Sequence, residues 1–308
     1  SCSDHGGPSD ELAQEMIFWE DIPSDSEYKS PFYDEDKYIT FEPDHGGWNN
    51  IRMAYETILV LAHATGRTLV LPPEQRMYLL GKGDSKHKKE FSFNDFFHLD
   101  SIATEHAGLN IITMEEFLER KGKTGQLKDR TTGKVIKPSK TNWNGEHLVE
   151  LFEYLRQIGK YPEGWAPSTC FAAIPESSDP KHVDELQSMF DDIMGGKHGE
   201  VPNPETDFVD DPVPVDAPAV ARMREMLAGR KKICIYDAEL QAEPVLHFKV
   251  DHKAQARMLT HFYAFIFFQD WKQDTWSKRF VRDHIRYVDE IVCAAARIVN
   301  AVRERARK

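Results

Sequence analysis

What the chain has little of narrows its function first. Its 308 residues carry a formal net charge of −12. The missing basic excess opposes a nucleic-acid partner, whose phosphates need a cationic footprint. A dianionic sugar nucleotide stays possible, because glycine-loop amides and a few local cations suffice to hold it. No apolar run approaches the ~20 residues of a membrane-crossing helix; the nearest, Phe262–Phe268, is far shorter. Cys2, Cys170, Cys234 and Cys293 are scattered without metal-ligand spacing, so they permit disulfides and do not demand any. The redox compartment is left open. No Asn-x-Ser/Thr sequon occurs, and the sequence opens at Ser1 without Met or signal peptide, as a trimmed lumenal segment would. The phosphate-loop spacing Gly-x4-Gly-Lys-Ser/Thr and the fingerprint Gly-x-Gly-x-x-Gly are absent. A nicotinamide-dependent dehydrogenase is thereby disfavoured. Apolar content is ordinary, and the length allows one large or two ordinary domains.

The most informative stretch present is Lys37–Pro73. Lys37–Phe41 reads as a short strand, and Asp44-His45-Gly46-Gly47 as a turn whose glycines allow positive φ and close backbone approach. From Ile51 the spacing becomes helical, with Ile51, Ala54, Tyr55, Ile58, Leu61 and Ala62 on one face. Asn49 or Asn50 can cap the helix start, and Gly66 fits the left-handed position past its end. Thr68–Leu71 is a second apolar strand, stopped by Pro72-Pro73. The result is a βαβ unit with its glycine turn where strand meets helix, the usual ligand position in an open α/β sheet. On residue chemistry alone, the turn reads better as a plain helix start, with glycines for φ, Asn for capping and Arg52 in a salt link, because a Gly-Gly pair by itself is a weak signal.

GGWNNIR (46–52), followed by ETILVLAHATGRTLVLPP (56–73), resembles the first motif of the GDP-fucose protein O-fucosyltransferase-like glycosyltransferases, in their plant and fungal branch. The resemblance implies an α/β fold with two Rossmann-like domains facing across a cleft, the GT-B arrangement. It implies inverting transfer from GDP-fucose to a protein or glycan hydroxyl, no metal cofactor, and work in the Golgi or endoplasmic reticulum lumen. Gly46 and Gly47 would let main-chain amides approach the nucleotide sugar, with Asn49 on the same loop. Asn50 matches the residue that contacts donor and acceptor near the reacting carbon, and Arg52 matches the motif's loop-orienting Arg. Some members carry Arg or Glu where this chain has Gly47. Asn50 and His45, a candidate base or diphosphate partner, are the expected catalytic residues. Gly46, Gly47, Asn49, Asn50 and Arg52 form the expected substrate-binding set.

Around this unit, residues 1–36 read as a polar arm that packs the patch Met16–Trp19 against the domain. Asp34-Glu35-Asp36 contains the Asp-x-Asp of another glycosyltransferase class. It precedes the first strand, whereas a metal-holding motif belongs at a strand's carboxyl end, so it reads as a solvated acidic turn. The basic loop Gly81–Lys89 offers Lys82, Lys86 and Lys88 to a diphosphate but reads better as solvated. Asn94 can cap a short helix that packs Phe96 and Phe97. Asn110–Thr113 is a third strand, and Thr113 with Glu116 a capping box. Residues 121–140 and 195–218 read as insertions within a Rossmann-like domain spanning 37–250. Within it Asn144 caps a helix ending at Gly159, 161–174 is a connector, Val183–Met194 and Ala219–Leu227 are helices, and Lys232–Tyr236 and Val245–Val250 are strands. Residues 251–308 read as helical, with Gln255–Phe268 a buried helix.

The family's donor site uses a His-x-Arg, usually followed by Asp, at a strand end. His284-Ile285-Arg286 with Asp289 invites that assignment. Apolar spacing from Val281 to Val302 predicts one continuous amphipathic helix instead. On a helix, residues two apart diverge by roughly 200°. The expectation is therefore that the donor strand lies outside this chain, the second domain being truncated and the chain inactive. A non-catalytic scaffold on a degenerate glycosyltransferase fold is the alternative.

Overall fold

The computed structural model describes the chain apart from residues 1, 18, 21, 78–79, 81–89, 140–142, 144–146, 163–164, 166–169, 204–212, 228, 251–264 and 308. Its seven described strands are β1 (Asp34–Phe41), β2 (Arg67–Leu71), β3 (Ile111–Thr113), β4 (Cys170–Ile174), β5 (Lys232–Ile235), β6 (Val245–Phe248) and β7 (Phe267–Phe268). They form two sheets, ordered β3-β2-β1-β6 and β5-β4-β7, and every pairing within them is parallel. Parallel strands need both faces covered, and β2 and β4 are buried along their whole length. The α/β class read from the sequence holds.

The predicted βαβ unit is present. Helix α1 (Trp48–Ala64) connects β1 to β2 and buries all six residues of the expected face. Gly66 lies at φ +64°, and a Cβ there would come within 2.3 Å of the Tyr33 backbone, so no larger residue fits. Three details differ. β1 begins at Asp34, so the Asp-x-Asp opens the strand instead of preceding it. Gly47 is the N-cap of α1 and no side chain caps it, which puts Asn49 and Asn50 inside the first turn. Neither Gly46 nor Gly47 adopts positive φ.

Beyond the unit, the Thr113–Glu116 capping box forms: the Glu116 amide donates to Thr113 Oγ1 (3.2 Å) and the Thr113 amide to Glu116 Oε2 (3.0 Å). Phe97 is buried, Phe96 packs against the core, and Ser92, not Asn94, caps the short turn before them. Helix α2 (Leu148–Ile158) starts after His147; the Asn144 cap and the 81–89 loop lie outside the described residues. The 161–174 connector ends in β4, a fully buried strand whose apolar run is too short to show a period. Helices α3 (Pro180–Met194), capped by Asp179, and α4 (Ala219–Met226) follow. β5 and β6, neighbours in sequence, fall in different sheets, with the short helix α5 (Ala238–Ala242) between them. The described end of the predicted 255–268 helix is strand β7.

The carboxyl-terminal helix is two helices, α6 (Trp271–His284) and α7 (Asp289–Ala306). Between them the backbone is extended. Tyr287 forms an antiparallel bridge with Phe97, the His98 amide donates to the Arg286 carbonyl (3.0 Å), and the Val288 amide donates to the Phe96 carbonyl (2.9 Å). Tertiary hydrogen bonds thus override a periodicity that runs through the break.

All four cysteines pair, Cys2 with Cys293 and Cys170 with Cys234. The second pair joins adjacent strands β4 and β5. Disulfides of this kind persist in oxidising compartments, in keeping with a lumenal or extracellular setting. The amino-terminal arm is held by the Cys2–Cys293 disulfide and by a buried ion pair. Buried Asp25 receives both Arg279 Nε (2.7 Å) and Nη2 (2.6 Å), while Ile17 stays exposed.

Arg67 fastens the two sheets together. Its side chain is 1% exposed, and its hydrogen bonds run to a hydroxyl and to backbone carbonyls. Nε donates to the Tyr236 hydroxyl (3.1 Å), Nη1 to the Glu243 carbonyl (2.7 Å) and Nη2 to the Leu240 carbonyl (2.7 Å). The carbonyls belong to α5 and its carboxyl end, and Tyr236 follows β5, so one guanidinium at the start of β2 fixes the β5–α5–β6 connection. Arg67→Met removes all three donors and leaves buried acceptors unpaired, a loss expected to exceed about 3 kcal/mol. Urea unfolding of the variant measures it; a change under about 1 kcal/mol would assign Arg67 no such role.

Candidate active site

In the first sheet β1 runs through α1 to β2 on one side, while β6 lies on the other. The strand order therefore reverses at β1, and the carboxyl ends of β1 and β6 mark the switch point at which ligands bind in open α/β sheets. The glycine turn leaves β1 at that end. Register places Phe41 opposite Phe248, so Glu42 and Lys249 emerge side by side.

Glu42 is buried and joins the two strand ends. Oε1 accepts from His247 Nε2 (3.0 Å) and Arg156 Nε (2.6 Å); Oε2 accepts from Arg156 Nη2 (2.6 Å) and the Val250 amide (3.2 Å). Burial alone would raise its pKa, but the hydrogen bonds from His247 and Arg156 outweigh burial and bring it down to about 2. His247, on β6, is fully buried, and burial lowers its pKa against the pull of Glu42. A neutral ring facing a carboxylate must carry its proton on Nε2, so Nδ1 accepts from Thr40 Oγ1 (2.9 Å). Gly159, at the carboxyl end of α2, makes room for this histidine: a Cβ there would sit 2.5 Å from that of His247.

His247, Phe248 and Lys249 thus stand at the carboxyl end of β6. The apolar run VLHFKV marked the strand in the sequence, but not the contact of His247 with Glu42. Both ring nitrogens of His247 are used inside the protein. The Lys249 ammonium sits 4.5 Å over the Tyr161 ring and is the cation this strand end presents.

The expected site residues line the other lip. The Gly46 amide donates to Asp44 Oδ1 (2.6 Å), forming an Asx turn. A Cβ on Gly46 would lie 2.5 Å from Asn50 Nδ2 and 2.8 Å from Asp44 Oδ1, the ends of two side chains that pack over the turn. Asn50 folds back over the turn. Gly47 faces open space, His45 and Asn49 are exposed, and Arg52 Nη1 is bound to Glu56 Oε1 (2.5 Å) along α1. Trp48 stacks on Phe96 (4.0 Å between centroids) and anchors the start of α1, whose positive dipole end lies beside the switch point. His284 stands apart, buried against His106 (4.0 Å) and Phe280, and Arg286 Nε donates to the Asp283 carbonyl (2.6 Å). Asp34 and Asp36 lie at the amino end of β1, paired with Lys37 (3.4 Å) and Lys121 (3.0 Å).

A strand-order reversal in a parallel sheet, with a glycine turn leading into a helix start beside it, defines a Rossmann-like α/β protein. The family model "O-FucT: GDP-fucose protein O-fucosyltransferase" matches residues 38–308, and the chain belongs to that family of glycosyltransferases. The match includes β6 and the helices after it. No curated protein and no solved structure gives a match. The family implies a nucleotide-sugar donor and a separate acceptor, and its members generally work in the secretory-pathway lumen, in accord with the two disulfides. Among the described residues no helix is long and apolar enough to cross a membrane.

The Glu42 network has a pH signature. Its folded pKa of about 2 lies below the ordinary 4.5, so its contribution is present above pH 4.5 and is lost as pH falls through about 2. Glu42→Gln should cost on the order of 3 kcal/mol at neutral pH. The gap between wild type and variant should close as pH is lowered from 4.5 toward 2, followed by denaturant unfolding. A gap that does not change with pH contradicts the assignment.

Proposed function

We propose that the chain is an inverting, GDP-fucose-dependent O-fucosyltransferase of the fungal type, whose donor diphosphate seats between the carboxyl ends of β1 and β6. The observation that carries this reading is Lys249, held at the end of β6 beside the glycine turn by the Glu42–His247 junction. Lys249 supplies the positive charge that the resemblance assigns to an Arg, as a point charge without the bidentate fork. Amides of Gly46, Gly47 and the first turn of α1 supply the remaining donors. This set stabilises a departing diphosphate without a metal.

In the transfer step the acceptor oxygen attacks the anomeric carbon of fucose while the bond from that carbon to the GDP oxygen breaks. GDP carries the electron pair away, and the acceptor's proton passes to a base. Asn50, folded over Gly46, is set to orient the sugar; His45, exposed beside it, is the candidate base. Arg52, tied to Glu56, acts on the loop and not on ligand. The second sheet, β5-β4-β7, is taken as the opposite wall of a GT-B cleft. In this reading β6 serves as the donor-side strand, so that the chain holds its own donor site. The Golgi or endoplasmic reticulum lumen is the proposed location.

Titration calorimetry with GDP tests the reading. Wild type should bind, and Lys249→Met should weaken binding by about tenfold or more, one lost charge-assisted contact. Asn50→Ala should leave GDP affinity within about threefold while fucose release from GDP-fucose falls by about a hundredfold. No heat with GDP, or affinity unchanged in Lys249→Met, would overturn it.

A further inference from the structure

At the same edge of the first sheet, the carboxyl ends of β2 and β3 enclose a second cleft of about 550 Å³, within the range of small-molecule sites. Pro72, Pro73 and Glu74, following β2, form one side; Thr113 and Glu115, following β3, form another. Trp143 and Lys123 complete it, facing Glu90 and Asn94. Its walls are fastened by backbone hydrogen bonds. Gln75 and Phe91 exchange amide-to-carbonyl bonds of 3.1 and 2.9 Å, the Ser92 amide donates to Asp95 Oδ2 (2.7 Å), and the Thr113–Glu116 capping box fixes the third side. The cavity is therefore part of the folded scaffold.

Charge is divided along this edge. The β1/β6 end presents Lys249 and Arg156, whereas the β2/β3 cleft presents Glu74, Glu90 and Glu115, and among the described residues its one lining cation, Lys123, is paired with Glu119. Three carboxylates against one paired cation among the described lining disfavour a nucleotide diphosphate there. The two lie about two strand spacings apart, ~10 Å, roughly the length of a disaccharide. The lining alternates apolar faces, the Trp143 indole and the two prolines, with carboxylates and the Asn94 amide. A pyranose matches that pattern, with one face of C–H groups and a rim of hydroxyls that donate to carboxylates.

We propose that this cleft is a carbohydrate-binding site that takes a neutral glycan as the acceptor, its use as acceptor resting on the transferase reading above. Trp143 stacks on a sugar ring, and Glu115 with Glu90 accepts from its hydroxyls. The site selects against acidic glycans by repulsion and sets the acceptor beside the donor without competing for its cations.

The test applies the intact chain to a glycan array carrying neutral biantennary N-glycans, neutral O-glycans, sialylated counterparts and lysine-rich peptides. GDP affinity is measured in parallel. Neutral glycans should bind, sialylated ones more weakly. Trp143→Ala and Glu115→Gln should each cut glycan binding by about tenfold. Trp143→Phe should keep part of it, and GDP affinity of every variant should stay within about twofold of wild type, which also certifies folding. Absence of glycan binding, binding unaffected by both substitutions, or capture of only the lysine-rich peptides overturns the proposal. Glycan binding that follows this pattern while GDP fails to bind leaves the cleft assigned and overturns only the transferase reading.

Discussion

One buried carboxylate holds the site together. Glu42 closes the carboxyl end of β1 against that of β6 through His247, Arg156 and the Val250 amide. An ionised group so far from water is tolerated only because four donors converge on it; losing any one leaves charge unmatched. Within the parallel sheet this junction is where the strand order reverses. The positions of Lys249 on one lip and of the glycine turn on the other follow from it.

A division of labour is visible among buried charges. Arg67 and Asp25 are bolts: the first ties the sheets, the second pins the arm to α6. Neither lies at the switch point. Glu42 is also buried, but its partner Arg156 keeps 44% of its side chain exposed. The same pair can therefore be structural at its inner end and meet ligand at its outer one. His247 is locked in one tautomer, so its contribution is to place its neighbours, and the cationic task shifts to Lys249.

The βαβ unit was legible because its apolar residues follow two clean periods and its punctuation, Gly66 and Pro72-Pro73, sits where backbone conformation demands it. The glycine turn could be located, but not explained. Gly46 lies beneath the side chains of Asn50 and Asp44, a tertiary fact that φ preference does not contain. β4 and β7 are short apolar runs without a period, and β7 was absorbed into a helix. The break at 285–288 escaped because Val281 through Val302 keeps helical spacing across a segment that pairs with Phe96–His98. His284 ends α6 and Arg286 lies in that break, a placement that apolar spacing alone does not contain. Glu42 and Arg156, 114 positions apart, meet only in the fold.

The central claim is that an anionic donor seats between β1 and β6. Amide hydrogen exchange followed by mass spectrometry, with and without GDP, tests it most directly. The account predicts that GDP slows exchange in peptides covering 42–52 and 245–250 and leaves the β2/β3 cleft unchanged. Protection confined to peptides of the second sheet, or no protection anywhere, would contradict it.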